Sequence, residues 1–131
     1  MVVDTSALVA IVLREPLRAR LLDAIDSAET RIISSVSLLE AGMVLRARSG
    51  DGAVSVLHQL IGEFGAQIAA FDEAQAKLAI AAFARFGKGL GHRAQLNFGD
   101  CAVDALAALN GEPILATGRD FAATDVTVLR P

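Results

Sequence analysis

Short apolar runs alternate along the chain with longer segments whose apolar residues recur at helical spacing. Residues 1–4 predict a buried strand ending on Asp4, and Thr5 and Ser6 offer hydroxyls to cap a helix starting near Ala7. Pro16 suits the first turn of a second helix reaching about Ala28, with Leu21, Leu22 and Ile25 on one face. Residues 31–33 predict the next strand. Ser35 or Ser37 can cap a helix through about Arg48, where Val36, Leu39, Met43 and Val44 would form the apolar stripe. Ser49-Gly50-Asp51-Gly52 interrupts it, and residues 53–64 resume with Val54, Leu57, Leu60 and Ile61 in helical register.

A third strand is predicted over residues 67–71, after which Asp72 caps a helix to about Phe86 with Ala76, Ala79, Ile80 and Phe83 as its buried stripe. Gly87-Lys88-Gly89-Leu90-Gly91 reads as a flexible loop. Gly99 or Asp100 opens a helix to about Leu109, which Asn110-Gly111 ends, and Pro113 precedes a strand at residues 114–116. Residues 126–129 are a candidate last strand. Strands alternating with helices predict an α/β fold: a short, mostly parallel sheet with helices on both faces, whose sites form at the carboxyl edge of the strands.

Composition narrows this picture. A chain of 131 residues, 53% hydrophobic and 21% charged, fits one domain over residues 1–131 with a core of its own. Its only aromatics are six Phe, so the core falls to Ala, Leu, Ile and Val. The single cysteine, Cys101, suits packing in a reducing compartment. No basic leader precedes Asp4 and no apolar run nears the roughly 20 residues of a membrane span, so a cytoplasmic protein without membrane contact is expected. The net charge of −3 argues against a protein coated in positive charge, although ten Arg against two Lys leave guanidinium groups suited to phosphate.

Acids are placed where hydration is scarce. Asp4 and Asp120 follow predicted strands, Asp100 begins a helix returning to the sheet, and Glu40 lies beside an apolar stripe. Each alone has a structural explanation, as a cap, a solvent-facing helix residue or a loop acid. Together they can reach one carboxyl edge, where a hard cation would compensate their charge. Asp104 follows Asp100 by one helical turn, where the two repel unless a cation lies between them. His58 and His92 lack the spacing of a zinc pair. Arg14, Arg46, Arg85, Lys88, Arg93 and Arg119 are candidate phosphate contacts or solvated charges.

Val3-Asp4-Thr5-Ser6-Ala7-Leu8, Ser37-Leu38-Leu39-Glu40, Gly87-Lys88-Gly89, Leu96-Asn97-Phe98-Gly99-Asp100-Cys101 with Ala105-Leu106-Ala107, and Gly118-Arg119-Asp120-Phe121 resemble the PIN-domain ribonucleases, specifically VapC-type toxins. The resemblance implies a PIN-like three-layer sandwich. It also implies an endoribonuclease that cuts structured RNA, of the tRNA or rRNA class, with Mg²⁺ or Mn²⁺, as the toxin of a toxin–antitoxin pair. Carried over by position, Asp4, Glu40, Asp100 and Asp120 match the family's catalytic and metal-binding acids, with Thr5 and Ser6 orienting Asp4 or a metal-bound water. Asp104 departs from the subfamily, where that position is often aromatic, and is an additional candidate ligand. A cognate antitoxin and a homodimer are implied as well.

Two other readings remain open on the residues. An inert PIN-fold interaction protein would keep the fold with a modified site, Asp104 being the feature that favours it. A phosphatase using Asp4 as covalent nucleophile draws on the strand-end Asp4-Thr5 pair, but Lys77 and Lys88 are predicted in a helix and a glycine loop, away from a strand end.

Overall fold

The computed structural model describes residues 1–91 and 95–124, with the backbone of residues 128–129. Its elements are β1 (Val2–Val3), α1 (Thr5–Val12), α2 (Arg18–Ser27), β2 (Ile32–Ser34), α3 (Ser35–Ser49), α4 (Asp51–Phe64), β3 (Gln67–Ala69), α5 (Glu73–Phe86), α6 (Phe98–Asn110), β4 (Ile114–Leu115) and β5 (Val128–Leu129). The strands form one sheet in the order β3-β2-β1-β4-β5. Every pairing is parallel, with Val2 opposite both Ile32 and Ile114. The expected sheet is therefore present, and among the described residues it is parallel throughout.

Strand pleating divides the core. Val3, Ile33 and Leu115 pack with Leu8, Ile11, Leu21, Ile25, Leu45 and Leu57 of α1 to α4. Their chain neighbours Val2 and Ile114 pack on the other face with Leu96, Val103, Leu106 and Phe86, contributed largely by α5 and α6. Successive strand residues point to opposite faces, so two-residue strands suffice to join two helical layers through one sheet. Continuous apolar strands follow directly from burial on both sides.

The ends of the helices are set by local chemistry. Asp4 caps α1 by accepting from the Ser6 amide, Ser34 caps α3 through Val36, and Asp72 caps α5 through Gln75. Gly111, at φ 63°, ends α6 in the left-handed conformation open to glycine. The expected N-cap at Asp100 is corrected: Asn97 is the cap, in a reciprocal capping box with Asp100. Two stripes also differ from expectation. On α3 the buried residues are Ser37, Ala41 and Leu45, while Leu39 and Met43 are each 64% exposed. On α5 they are Gln75, Ala79, Ala82 and Phe86, with Ile80 and Phe83 on the surface. Helical periodicity locates a stripe, but a helix with apolar residues on two faces leaves the sheet to choose which is covered.

α2 starts two residues beyond Pro16, and α4 starts at Asp51 because Gly50, at φ 80°, both ends α3 and precedes α4. Residues 126–127 of the expected last strand, and His92 and Arg93, lie outside the described residues.

Arg31 fastens the helical layer beside β2. Its Nε donates to the Ile25 carbonyl at 2.6 Å, Nη2 to Asp26 at 2.9 Å and Nη1 to Phe64 at 3.2 Å, so one guanidinium serves the carboxyl ends of both α2 and α4. Arg31→Ala should lower unfolding free energy by about 2–4 kcal/mol, since charged donors are lost from three carbonyls at helix ends. Urea denaturation measures it; a change below about 0.5 kcal/mol would show the three bonds to be inconsequential.

Candidate metal centre

The carboxyl edge of β1 is where the strand order turns outward in both directions, to β2 on one side and β4 on the other. Asp4 leaves the sheet there, only 5% exposed. Its amide donates to the Leu115 carbonyl at 3.0 Å, which ties the first residue of the site to β4. Asp4 Oδ2 accepts from the Ser6 amide at 3.0 Å and from Ser6 Oγ at 2.6 Å. The same serine oxygen accepts from the Thr117 amide at 3.1 Å, beyond β4. Ser6 therefore contacts Asp4 directly, from within the first turn of α1, which begins at Thr5 with Asp4 as its cap rather than near Ala7 with Thr5 or Ser6 capping it. The Thr5 hydroxyl, buried beside it in the chain, has no hydrogen-bond partner among the described residues.

Asp100 stands in the first turn of α6. Its Oδ2 accepts from the Asn97 amide at 3.0 Å while Asn97 Oδ1 accepts from the Asp100 amide at 2.9 Å. Glu40 reaches this turn from α3. A Cβ placed on Gly99 would stand 2.6 and 2.7 Å from the two Glu40 carboxylate oxygens, so Glu40 occupies the space any larger residue would need. Asp120 lies on the loop after β4 and is exposed.

Electrostatics register the convergence. Burial pushes the Asp100 carboxyl up to about 7; the Asn97 amide opposes this, and the charges of Asp4, Asp120 and Glu40 add to it. Burial likewise raises Asp4, Ser6 partly offsets it, and Glu40 raises it further. Both aspartates sit at helix amino ends, where a carboxylate is ordinarily favoured by about 0.3–1 kcal/mol. Desolvation and mutual repulsion outweigh that preference. Asp104 lies one turn later within the buried run of α6, 5% exposed. Burial and the charges of Asp100 and Asp104 raise the neighbouring Cys101 thiol to about 11, which makes it a packing residue rather than a nucleophile.

This donor set consists of carboxylate oxygens, the chemistry hard divalent cations select. Glu40, Asp4, Asp100 and Asp120 come from separate elements, and the charges of the other three add to the effect of burial on Asp100, so a cation among them would offset both. Among the described residues, no three acid, histidine or cysteine side chains already stand in a metal-coordinating geometry. The acids adjoin one another without forming a closed shell. The buried Thr5 hydroxyl adds a polar group whose hydrogen bond an ion's hydration water would satisfy. The residues thus fit a divalent cation by charge and donor type.

Other candidates lie elsewhere. His58 is exposed on α4. Arg46 pairs with Asp51 at 2.5 Å and Arg85 lies over the Phe86 ring at 4.6 Å, whereas Arg14, Lys88 and Arg119 are exposed. Lys77 pairs with Glu73 on the exposed face of α5, so it does not supply the companion lysine of a phosphoaspartate site. Sequence reasoning missed Asn97, Gly99 and Thr117 as parts of the site. The Asn-x-x-Asp spacing signals the capping box, but Gly99 and Thr117 act through contacts remote in the chain.

A family model, the PIN domain, matches residues 1–126. Ribonuclease VapC28 of Mycobacterium tuberculosis is 44% identical over 126 residues, covering 96% of this chain and 95% of that protein. The chain belongs to the PIN-domain family, among its VapC-type ribonucleases. Solved VapC-type and toxin–antitoxin structures share its fold. VapC20 of Mycobacterium tuberculosis, a sarcin–ricin-loop-cleaving toxin, superposes with TM-score 0.82 at 19% identity, covering 99% of this chain and 98% of that one. A toxin–antitoxin complex from Klebsiella pneumoniae gives 0.75 at 16% identity, covering 98% and 95%.

Two measurements test the geometry of this PIN site. The folded Asp100 pKa, about 7, lies above the ordinary 3.8, so the folded state holds more protons over that interval. Stability from this group is complete below the lower value and is lost as pH rises through the upper one, by an amount on the order of a few kcal/mol. The melting temperature of metal-free protein should therefore fall between those two pH values, and Asp100→Asn should flatten the fall; an unchanged profile would contradict the buried cluster. Gly99→Ala should leave the protein folded, because only the end of a flexible side chain must move. Its Mn²⁺ affinity by calorimetry should drop about 10–100-fold as Glu40 is displaced, and wild-type affinity would refute the packing argument.

Proposed function

We propose that this VapC-type ribonuclease is a Mg²⁺- or Mn²⁺-dependent endoribonuclease cutting structured RNA, of the tRNA or rRNA class, as the toxin of a toxin–antitoxin pair. Asp4, Glu40, Asp100 and Asp120 are its catalytic, metal-holding carboxylates, with Asp104 as a further candidate ligand. The observation that supports the reading is the seating of the Glu40 carboxylate against Gly99, next to Asp100, with the charges of Asp4, Glu40 and Asp120 adding to the burial that raises Asp100.

A bound divalent ion supplies activation of water for attack on the phosphodiester and neutralises charge on the departing oxygen. The chain's residues prepare the place. Ser6 orients Asp4 by two hydrogen bonds to one oxygen, Asn97 holds Asp100 through the capping box, and Gly99 leaves room for the Glu40 carboxylate. Asp4, Glu40, Asp100 and exposed Asp120 would hold the cation, whose charge would favour the ionised form of the buried Asp100 carboxyl. Exposed Arg14, Lys88 and Arg119 are available to the phosphate backbone.

The acidic pocket favours an antitoxin that presents a cationic side chain to it, an arginine being the best match for carboxylates. Exposed Ile80, Phe83 and Phe98 provide an apolar face for a homodimer. Cytoplasmic residence suits the single buried thiol. Among the described residues no helix is long and apolar enough to cross a membrane.

Purified protein incubated with structured RNA and Mg²⁺ tests the reading directly. Asp4→Asn and Asp100→Asn should each cut at least about 100-fold more slowly while remaining folded, because each removes charge from the reacting centre. Chelation with EDTA should abolish cleavage and added Mn²⁺ restore it. Wild-type rates in either variant, or EDTA-resistant cleavage, would refute the metal-carboxylate mechanism.

A further inference from the structure

Ser6 touches two segments that the chain separates by more than a hundred residues. Its hydroxyl donates to Asp4 Oδ2 at 2.6 Å and accepts the Thr117 amide at 3.1 Å. On the same segment, the Leu115 carbonyl accepts the Asp4 amide at 3.0 Å. The strand end and the start of the following loop are thus both fastened at this corner, the Leu115 carbonyl to the Asp4 amide and the Thr117 amide to the Ser6 hydroxyl that holds Asp4. Beyond Thr117 the chain enters Gly118, and a Cβ built there would stand 3.7 Å from Asp120 Oδ2, so the Asp120 carboxylate folds back beside Gly118, the residue following the one the serine holds.

We propose that Ser6 is a positioning residue for Asp120 as well as for Asp4: its hydroxyl latches the loop after β4 to the first carboxylate and brings the exposed fourth one into the cluster. This goes beyond an orienting contact to Asp4 and rests on the metal-holding reading of the site. The hydroxyl suits both tasks because it has one proton, given to the carboxylate, and lone pairs, one given to the amide. Asp120 is the exposed member of the set, on a loop, so it depends on a tether that the buried acids do not require. Residues that orient a ligand from behind typically change metal affinity about 10–100-fold when removed.

The test uses the full chain and Mn²⁺ alone. In metal-free protein, hydrogen exchange at the Thr117 amide should be at least about 10-fold faster in Ser6→Ala than in wild type, and protection should return in Ser6→Thr. By calorimetry, Ser6→Ala should weaken Mn²⁺ binding about 10–100-fold in the wild-type background but substantially less in Asp120→Asn, where part of its task is already gone. Thr117→Pro removes the amide donor together with the threonine side chain, for which Thr117→Ala is the control, and leaves both partners of the Ser6–Asp4 bond in place, so it should weaken binding beyond Thr117→Ala in the wild-type background and not in Asp120→Asn. Equal fold losses in both backgrounds, or unchanged Thr117 exchange in Ser6→Ala, would show that Ser6 acts through Asp4 alone and overturn the proposal. Absence of Mn²⁺ binding by wild-type protein would instead overturn the metal reading, and the latch's role in ligand positioning with it.

Discussion

Loss of hydration at carboxylates, deepened by their mutual repulsion, governs the carboxyl edge of this sheet. Asp4 and Asp100 are nearly buried, and each feels neighbouring acids brought in by another element. Desolvation disfavours their ionised form, and each added negative charge deepens the effect. A fold selected only for stability would replace such residues with apolar ones or give each an arginine. Hydrogen bonds from Ser6 and Asn97 only partly offset the cost, so the cluster favours whatever brings positive charge into it.

The same contacts that begin helices hold the acids. Asp4 is at once the N-cap of α1 and the end of β1, and Asp100 is half of the capping box that starts α6. A cap has defined geometry because it satisfies amides that the helix leaves without partners. Caps that serve as ligands, as proposed for Asp4 and Asp100, would be oriented without extra structure. The arrangement places stability and chemistry in one set of atoms, where a change to either is felt by both.

Space matters as much as charge. Gly99 is required less for backbone freedom than for its missing side chain, since the Glu40 carboxylate stands where a Cβ would project. The parallel sheet contributes in a different way: with Val2 and Val3 facing opposite layers, two residues of β1 join both halves of the core and then deliver Asp4 to their common edge.

Much was legible in the order of residues. Strand–helix alternation predicted the layered α/β fold, Asp72 and Asn110-Gly111 marked helix ends correctly, and the motifs around Asp4, Glu40 and Asp100 pointed to the PIN family. Local signals of this kind survive in sequence because capping and strand burial depend on near neighbours. The exposed faces of α3 and α5 did not, since Leu39, Met43, Ile80 and Phe83 are as apolar as the residues that were buried. Nor did the Glu40–Gly99 fit or the bond from Thr117 to Ser6, which join positions far apart in the chain. Sequence determined which elements form and which acids they carry. Only packing of the layers decided which faces meet and how closely the charges stand, because distance and desolvation arise when remote segments exclude water together.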